Sequence, residues 1–363
     1  MISRRNFVAA GAYSVAPPLI NWGRFHVSAD EPEAKYSAVT MDLVRDSTVI
    51  DMMGLLSLNY PKVLAWQSSP DALKESDFQK IKDSGTTVFH QSFGFVAGDV
   101  YSTSLRDITG WNAFIAAHRD RFLRIDGPQD IELAKAQGRI GIVIGQQNSQ
   151  HFRTVDDVDR FYALGQRVSQ LTYNDNTLGG GSTGPRNVGL SEYGARIIER
   201  MNKLGMAVDV SHCADRTTFD AIEASSKPVL VTHSNCRALV ASARCKTDQT
   251  IRKMAAKGGV IGITLVRSFV RPGAAASIED VANHIDHVAS IAGIEHIGLG
   301  TDVDLDGRDA AAGVRRYDLD ELHYPKKVFD LTEALVRRKY SRENIGLILG
   351  KNFQRALANI WAA

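Results

Sequence analysis

Two histidines stand at equivalent places in consecutive segments of the chain. Each closes a short β-branched run, Ala207-Val208-Asp209-Val210-Ser211-His212 and Pro228-Val229-Leu230-Val231-Thr232-His233-Ser234. A third run, His296-Ile297-Gly298-Leu299-Gly300-Thr301-Asp302, ends in a carboxylate. Two imidazoles and a carboxylate meeting at one point suit a metal ion with its water, and so suit hydrolysis. The first strand-like run, Val49-Ile50-Asp51-Met52-Met53-Gly54-Leu55, carries no histidine pair that would complete a two-metal site.

These three side chains can meet only if their strands end at a common mouth. Eight strand-like runs alternate with helical segments: 49–54, 86–90, 140–145, 168–173, 207–212, 229–233, 259–265 and 296–302. That alternation predicts an α/β fold with a parallel sheet, and eight units predict a (β/α)8 TIM-type barrel, whose C-terminal strand ends converge. His212 and His233 are one strand-helix unit apart, which puts them on neighbouring strand ends. Strand alternation turns Asp209 to the opposite face from His212, away from the same metal. Residues 190–204 and 278–292 have helical apolar spacing, so His284 and His287 fall on an outer helix as packing or surface residues. His90 and His151 fall at or just past strand ends, where they could line the site.

Two loop motifs invite other chemistry. The glycine run 179–181 lacks the Gly-Lys-Ser/Thr of a phosphate loop and is expected to form a flexible rim over 174–189. Asp302-Val303-Asp304-Leu305-Asp306-Gly307 imitates the start of a calcium loop, but its twelfth position is Gly313 rather than Glu, which argues against calcium. The stretch 341–361 reads as one or two helices sealing the barrel's outside.

The 363 residues are 44% hydrophobic and 23% charged, enough for a full core in one large domain. Ser3-Arg4-Arg5-Asn6-Phe7-Val8, the weakly apolar stretch 9–20 and Val27-Ser28-Ala29 together read as a twin-arginine export signal over 1–29. The expectation is a periplasmic protein with one domain over 30–363. The leader holds three arginines and no acid, so the rest is close to neutral, which argues against a nucleic-acid partner. No later stretch approaches the roughly 20 apolar residues of a membrane span. Cys213, Cys236 and Cys245 are expected as small buried residues.

The pieces Asp209-Val210-Ser211-His212, Pro228 to Ser234, Arg244, Lys257-Gly258-Gly259-Val260-Ile261-Gly262, Gly298 to Asp304, Leu171-Thr172-Tyr173-Asn174 and Gly350-Lys351-Asn352-Phe353 occur in one order across nearly the whole chain. In these the sequence resembles the renal (membrane) dipeptidase family of amidohydrolase-type barrels. The resemblance implies zinc-dependent hydrolysis of dipeptides, with two ions bridged by a carboxylate in typical members, and a homodimer as the common assembly. It gives His212 and His233 as ligands of one metal, Asp302 as acid/base, and Arg244 as clamp for a substrate carboxylate.

The same resemblance marks departures. The first-strand His-x-Asp falls on Met53 and Leu55, and the bridging Glu on Gln147, leaving an amide as third ligand. The fourth-strand substrate histidine appears as Tyr173, with Asn174 beside it as a substrate contact. The expected cofactor is therefore one zinc or similar divalent ion at reduced affinity, or none. Asp302 could stay free as a base or coordinate directly, and both remain open here. Cys213 and Cys236 beside the histidines would admit a softer metal such as copper. The leading expectation is an exported, dipeptidase-like hydrolase that cleaves an amide bond in a dipeptide or small peptide-like substrate with one metal. The alternative is a non-hydrolytic barrel that binds or modifies a peptide-derived metabolite. A purely structural scaffold ranks last, because it gives no reason for polar groups to gather at strand ends.

Overall fold

Apolar residues on both faces of short strands are what a buried parallel sheet requires. The computed structural model, which describes residues 35–184, 188–273, 275–307 and 318–362, builds nine of them. They are β1 (Ile50–Asp51), β2 (Val88–Phe93), β3 (Phe122–Arg124), β4 (Ile140–Gln146), β5 (Gln166–Gln170), β6 (Ala207–Asp209), β7 (Val231–Ser234), β8 (Ile261–Ile263) and β9 (Ile297–Leu299). Eight follow the order β6-β5-β4-β2-β1-β9-β8-β7. A parallel bridge between Asp209 and Leu230 joins the two ends of that path. This is the TIM-type barrel that the alternation predicts. The export signal expected over 1–29 lies outside the described residues.

The ninth strand, β3, was not expected. Its three residues pair with Ile140–Ile142 of β4, below the stretch of β4 that pairs with β5. Phe-Leu-Arg is too short to show a period of two. Most strands are also shorter than the runs that announced them, because the ladder gives out before the mouth. β6 ends at Asp209 and β9 at Leu299, so His212 and Asp302 sit on turns beyond the last ladder bonds.

One outer helix forms as its end signals require. Ser191 caps Glu192–Leu204 by accepting from the Gly194 N–H, and Gly205 ends it in the left-handed conformation at φ 80°. The C-terminal helix Asn352–Trp361 departs from expectation: it closes the bottom of the barrel rather than its outside. Phe353, Leu357 and Ile360 cluster with Ile50, Val88, Ala207, Leu230 and Val260 at the strand starts. The Asn352 amide donates to the carbonyls of Ile294 (2.8 Å) and Ile297 (2.9 Å), tying that helix to the start of β9.

His284, on helix Ile278–Ala292, is a buried core residue: its Nδ1 accepts from the Cys236 N–H (3.2 Å) and its Nε2 donates to the Val270 carbonyl (3.1 Å). His287 pairs with Asp248 at the half-buried surface. Burial holds His284 down at about 4, so it is neutral in the fold and charges only in the unfolded chain near pH 6.5. Its contribution is therefore full above pH 6.5 and is lost as pH falls toward 4, by on the order of 3 kcal/mol in total. Urea unfolding at pH 7 and pH 4.5 is expected to show a smaller acid loss in His284→Gln than in the parent chain. Equal losses would contradict this assignment.

Candidate active site

Where the ladder stops at the mouth, buried aspartates take over the strand ends. Asp209 accepts from the Ser211 N–H (3.0 Å), the Ser211 hydroxyl (2.6 Å) and the Thr232 N–H (3.0 Å) on Oδ1, and from the Thr232 hydroxyl (2.7 Å) on Oδ2. Asp51 repeats the pattern on the far side. Its Oδ1 accepts from the N–H groups of Met53 (3.2 Å) and Thr301 (2.9 Å), and its Oδ2 from the Thr301 hydroxyl (2.6 Å). In each clasp an aspartate binds its own strand two residues on and a threonine of the neighbouring strand. The residue after each threonine is a candidate for chemistry: His233 follows Thr232, and Asp302 follows Thr301.

The clasp also fixes a tautomer. The Thr232 hydroxyl gives its proton to Asp209 and accepts from His233 Nδ1–H at 2.9 Å, so His233 Nε2 carries a lone pair. That nitrogen lies 3.0 Å from His212 Nε2. Two imidazole nitrogens stand this close only with a proton or a cation between them. The span suits two ligands of one zinc-sized ion, for which Zn–N is about 2.0–2.1 Å. Burial first, then the charge of Arg244, hold His212 well below the ordinary histidine value, so it is neutral at neutral pH, as a ligand must be. The Tyr173 ring stacks on His212 with centroids 4.2 Å apart.

His212, Asp302, Arg244, Gln147 and Tyr173 line one pocket of about 370 Å³, and His233 lies directly beneath His212. Arg244 is buried and donates to the carbonyls of Ser211 (2.5 Å) and His233 (3.4 Å), which leaves guanidinium donors for a ligand carboxylate. Gln147 donates its Nε2 to the Ser92 carbonyl (2.9 Å), so its oxygen is the atom left for a cation. Asp302 sits at φ 55°, a left-handed conformation that costs a non-glycine residue about 1–3 kcal/mol. Its neighbours enforce that conformation: its N–H donates to the Met53 carbonyl (3.0 Å), and the preceding threonine is held by Asp51. Met53 and Leu55, both buried, bring no nitrogen or oxygen side-chain ligand, and Leu55 is part of the pocket wall. Among the described residues no group of three or more His, Cys, Asp or Glu is arranged around a metal. The donor set thus fits one cation on two imidazoles with an amide oxygen in the same pocket.

Other expected site residues stand elsewhere. His90 shares its strand face with Ser92 but lies one layer deeper, where its Nδ1 bonds the Met52 carbonyl (2.6 Å) and Gly145 leaves it room; a Cβ there would stand 2.0 Å from its Nε2. His151 is a core residue, held by the Asn148 carbonyl (2.8 Å) and Gln166 Oε1 (3.0 Å) and packed on Phe152 and Phe161. Asn174 is exposed and accepts from the Thr183 hydroxyl (3.1 Å), outside the pocket lining. The expected flexible rim is instead tethered in its described part. The Ser182 N–H donates to the His212 carbonyl (2.6 Å), Gly180 N–H to Thr217 (2.9 Å) and Gly181 N–H to Asp175 (2.9 Å). Its glycines answer a lack of room: a Cβ on Gly181 would meet the Asn174 backbone at 2.6 Å. Asp304 serves the main chain of Leu58, Asp306 and Gly307 rather than a calcium ion. The three cysteines are buried thiols, as expected, and burial pushes Cys213 and Cys236 up.

Several supporting residues escaped the sequence reading. A carboxylate inside an apolar run must be hydrogen-bonded, and that signal was available for Asp51 and Asp209. Nothing marked the two buried lysines. Lys246 Nζ donates to the carbonyls of Val210 (2.7 Å) and Cys213 (3.0 Å), on either side of His212, and burial pushes it down to about 8. Lys327 Nζ donates to the Val303 carbonyl, next to Asp302, and lies 3.9 Å from Asp51.

The family model for membrane dipeptidase, peptidase family M19, matches residues 34–362. An uncharacterized dipeptidase of Schizosaccharomyces pombe is 38% identical over 175 residues, 46% of this chain and 42% of that protein. Dipeptidase verJ of Clonostachys rogersoniana is 34% identical over 229 residues, 61% of this chain and 56% of that one. This chain spans about half the length of these two curated relatives. An amidohydrolase from Pseudomonas aeruginosa, 28% identical, has a similar fold with a TM-score of 0.76, covering 89% of this chain and 99% of that chain.

If the Asp209 clasp carries the strand ends, Asp209→Asn puts an amide N–H against buried donors and is expected to cost on the order of 3 kcal/mol. Asp42→Asn, at an exposed pair with Arg45, serves as control and is expected to cost less than about 0.5 kcal/mol. Urea unfolding measures both, and a small loss in Asp209→Asn would contradict the clasp.

Proposed function

This chain belongs to the membrane dipeptidase family, and from that premise we propose that it hydrolyses an amide bond in a dipeptide or small peptide-like substrate with a single metal ion. The observation that carries this reading is the 3.0 Å approach of His212 Nε2 to His233 Nε2, beside a pocket that His212 shares with Arg244 and Asp302. His212 and His233 would hold the ion, with the Gln147 amide oxygen as a weaker third donor. An ion bound there supplies Lewis acidity, acidifying water and polarising a carbonyl. The amide and the apolar Met53 and Leu55 leave the site without the anionic ligands that hold a second ion, which also weakens its hold on the first.

The chain's own groups perform the remaining work. Arg244, anchored on the carbonyls of Ser211 and His233, grips the substrate carboxylate and so orients the amide. Asp302, aimed by its left-handed backbone, takes a proton from the attacking water and returns it to the departing nitrogen. Tyr173 keeps the His212 ring in place and contributes its phenol to the wall. In this reading residues 1–29 direct the protein to the periplasm through the twin-arginine route, and 30–363 form its one domain.

With zinc supplied, Asp302→Asn is expected to lower kcat/KM for a hydrolysed peptide by roughly 10²- to 10⁴-fold. Arg244→Met is expected to act mainly on KM, raising it about tenfold or more. Full activity in either variant, measured by amino-acid release, would contradict the assigned roles. Saturable binding of the same peptides without release of product would instead favour the binding role over hydrolysis.

A further inference from the structure

We infer that the pocket prefers an amino acid whose nitrogen carries an uncharged acyl group over a dipeptide with a free ammonium. The inference rests on the reading of this pocket as an amide-hydrolysing site and names what that site accepts.

A free dipeptide brings two charges into a buried pocket, and each needs a partner there. Arg244 answers the carboxylate. Among the described residues that line the pocket, Asp302 is the only acid, and the reaction already employs it. An ammonium seated on Asp302 would hold that carboxylate ionised, opposing the proton it must accept. Among the described residues, Asp304, Asp51 and Asp209 near the mouth are committed to the protein itself. Asp304 accepts from the N–H groups of Leu58 (2.7 Å), Asp306 (3.2 Å) and Gly307 (2.9 Å), and Asp51 and Asp209 are filled by their clasps.

One side of the wall is apolar, and the polar groups beside it, Ser92, Ser268, Gln147 and Tyr173, carry no negative charge. Leu55, Leu58, Phe93, Val266 and Phe269 face the cavity together. An ammonium placed against these side chains would lose its water without compensation, whereas an acyl chain gains roughly three- to fourfold in affinity for each methylene it buries. The substrate then lies with its amino-acid carboxylate on Arg244 and its acyl chain along the leucine and phenylalanine wall. The scissile amide sits between them, near His212 and Asp302. In the reaction the water oxygen bonds to the acyl carbon and the C–N bond breaks. Asp302 carries one water proton to the departing nitrogen, and the products are a carboxylic acid and a free amino acid.

The test compares N-propanoyl-leucine with alanyl-leucine, which differ only by the ammonium group, in both leucine enantiomers and with the full chain supplied with zinc. Calorimetry reads binding, and leucine release reads turnover. The expected result is at least tenfold tighter binding and at least tenfold higher kcat/KM for propanoyl-leucine, with N-hexanoyl-leucine better still. Equal or better performance of alanyl-leucine would overturn the acyl preference while leaving hydrolysis intact. Tighter binding of propanoyl-leucine without leucine release would support the preference and remove hydrolysis. Failure of both ligands to bind would overturn the preference as well.

Discussion

The structure depends on one recurring interaction: a buried aspartate that fills the hydrogen-bonding needs of two strand ends where the sheet ladder has stopped. At the mouth of a parallel barrel the main chain must leave the sheet to form loops, and each departing N–H needs an acceptor. Asp209 supplies it where β6 meets β7, at the pairing that closes the barrel through a single bridge. Asp51 supplies it between β1 and β9. Both clasps bind a threonine through its N–H and its hydroxyl, and both therefore fix the residue that follows. One fixes an imidazole with its lone pair turned outward, and the other an aspartate in a conformation its backbone would not choose. Closure of the fold and aim of the site are thus the same set of contacts.

Buried cations complete this arrangement from the other side of the loops. Arg244, Lys246 and Lys327 all donate to main-chain carbonyls next to site residues, so their charge tightens the turns that carry His212, His233 and Asp302. Asp209 lies within the field of Arg244 and Lys246, which offsets part of the cost of burying each charge. The mouth therefore carries mixed chemistry: positive charge where a carboxylate would rest, two imidazole nitrogens where a cation would rest, and apolar side chains along the first strand.

Much of this was legible in the sequence. The alternation of runs fixed the barrel, and the matched places of His212 and His233 in consecutive units put them side by side before any coordinates. Arg244, Asp302, Gln147 and Tyr173 gather in the same pocket, although residue spacing alone assigned none but Asp302 to it. Histidines were the least readable residues. His90 and His151 share the strand-end signature of His212, and only depth separates them: one imidazole lies a layer below the mouth and the other behind it among aromatic rings. Depth depends on register and on which neighbour is a glycine, and neither has a local signal. The glycine run misled for a related reason, since glycine marks crowding as readily as freedom. The buried lysines left no trace, because a lysine at the start of an amphipathic helix, like Lys327, or just before one, like Lys246, reads as a solvent-facing residue.

The central claim is that the mouth holds one cation, on His212 and His233, beside Arg244 and Asp302. Anomalous diffraction from zinc-soaked crystals, collected on both sides of the zinc absorption edge, tests it most directly. The account predicts one peak between the two Nε2 atoms and none beside Met53 and Leu55. Two peaks, or a single peak away from those nitrogens, would contradict it.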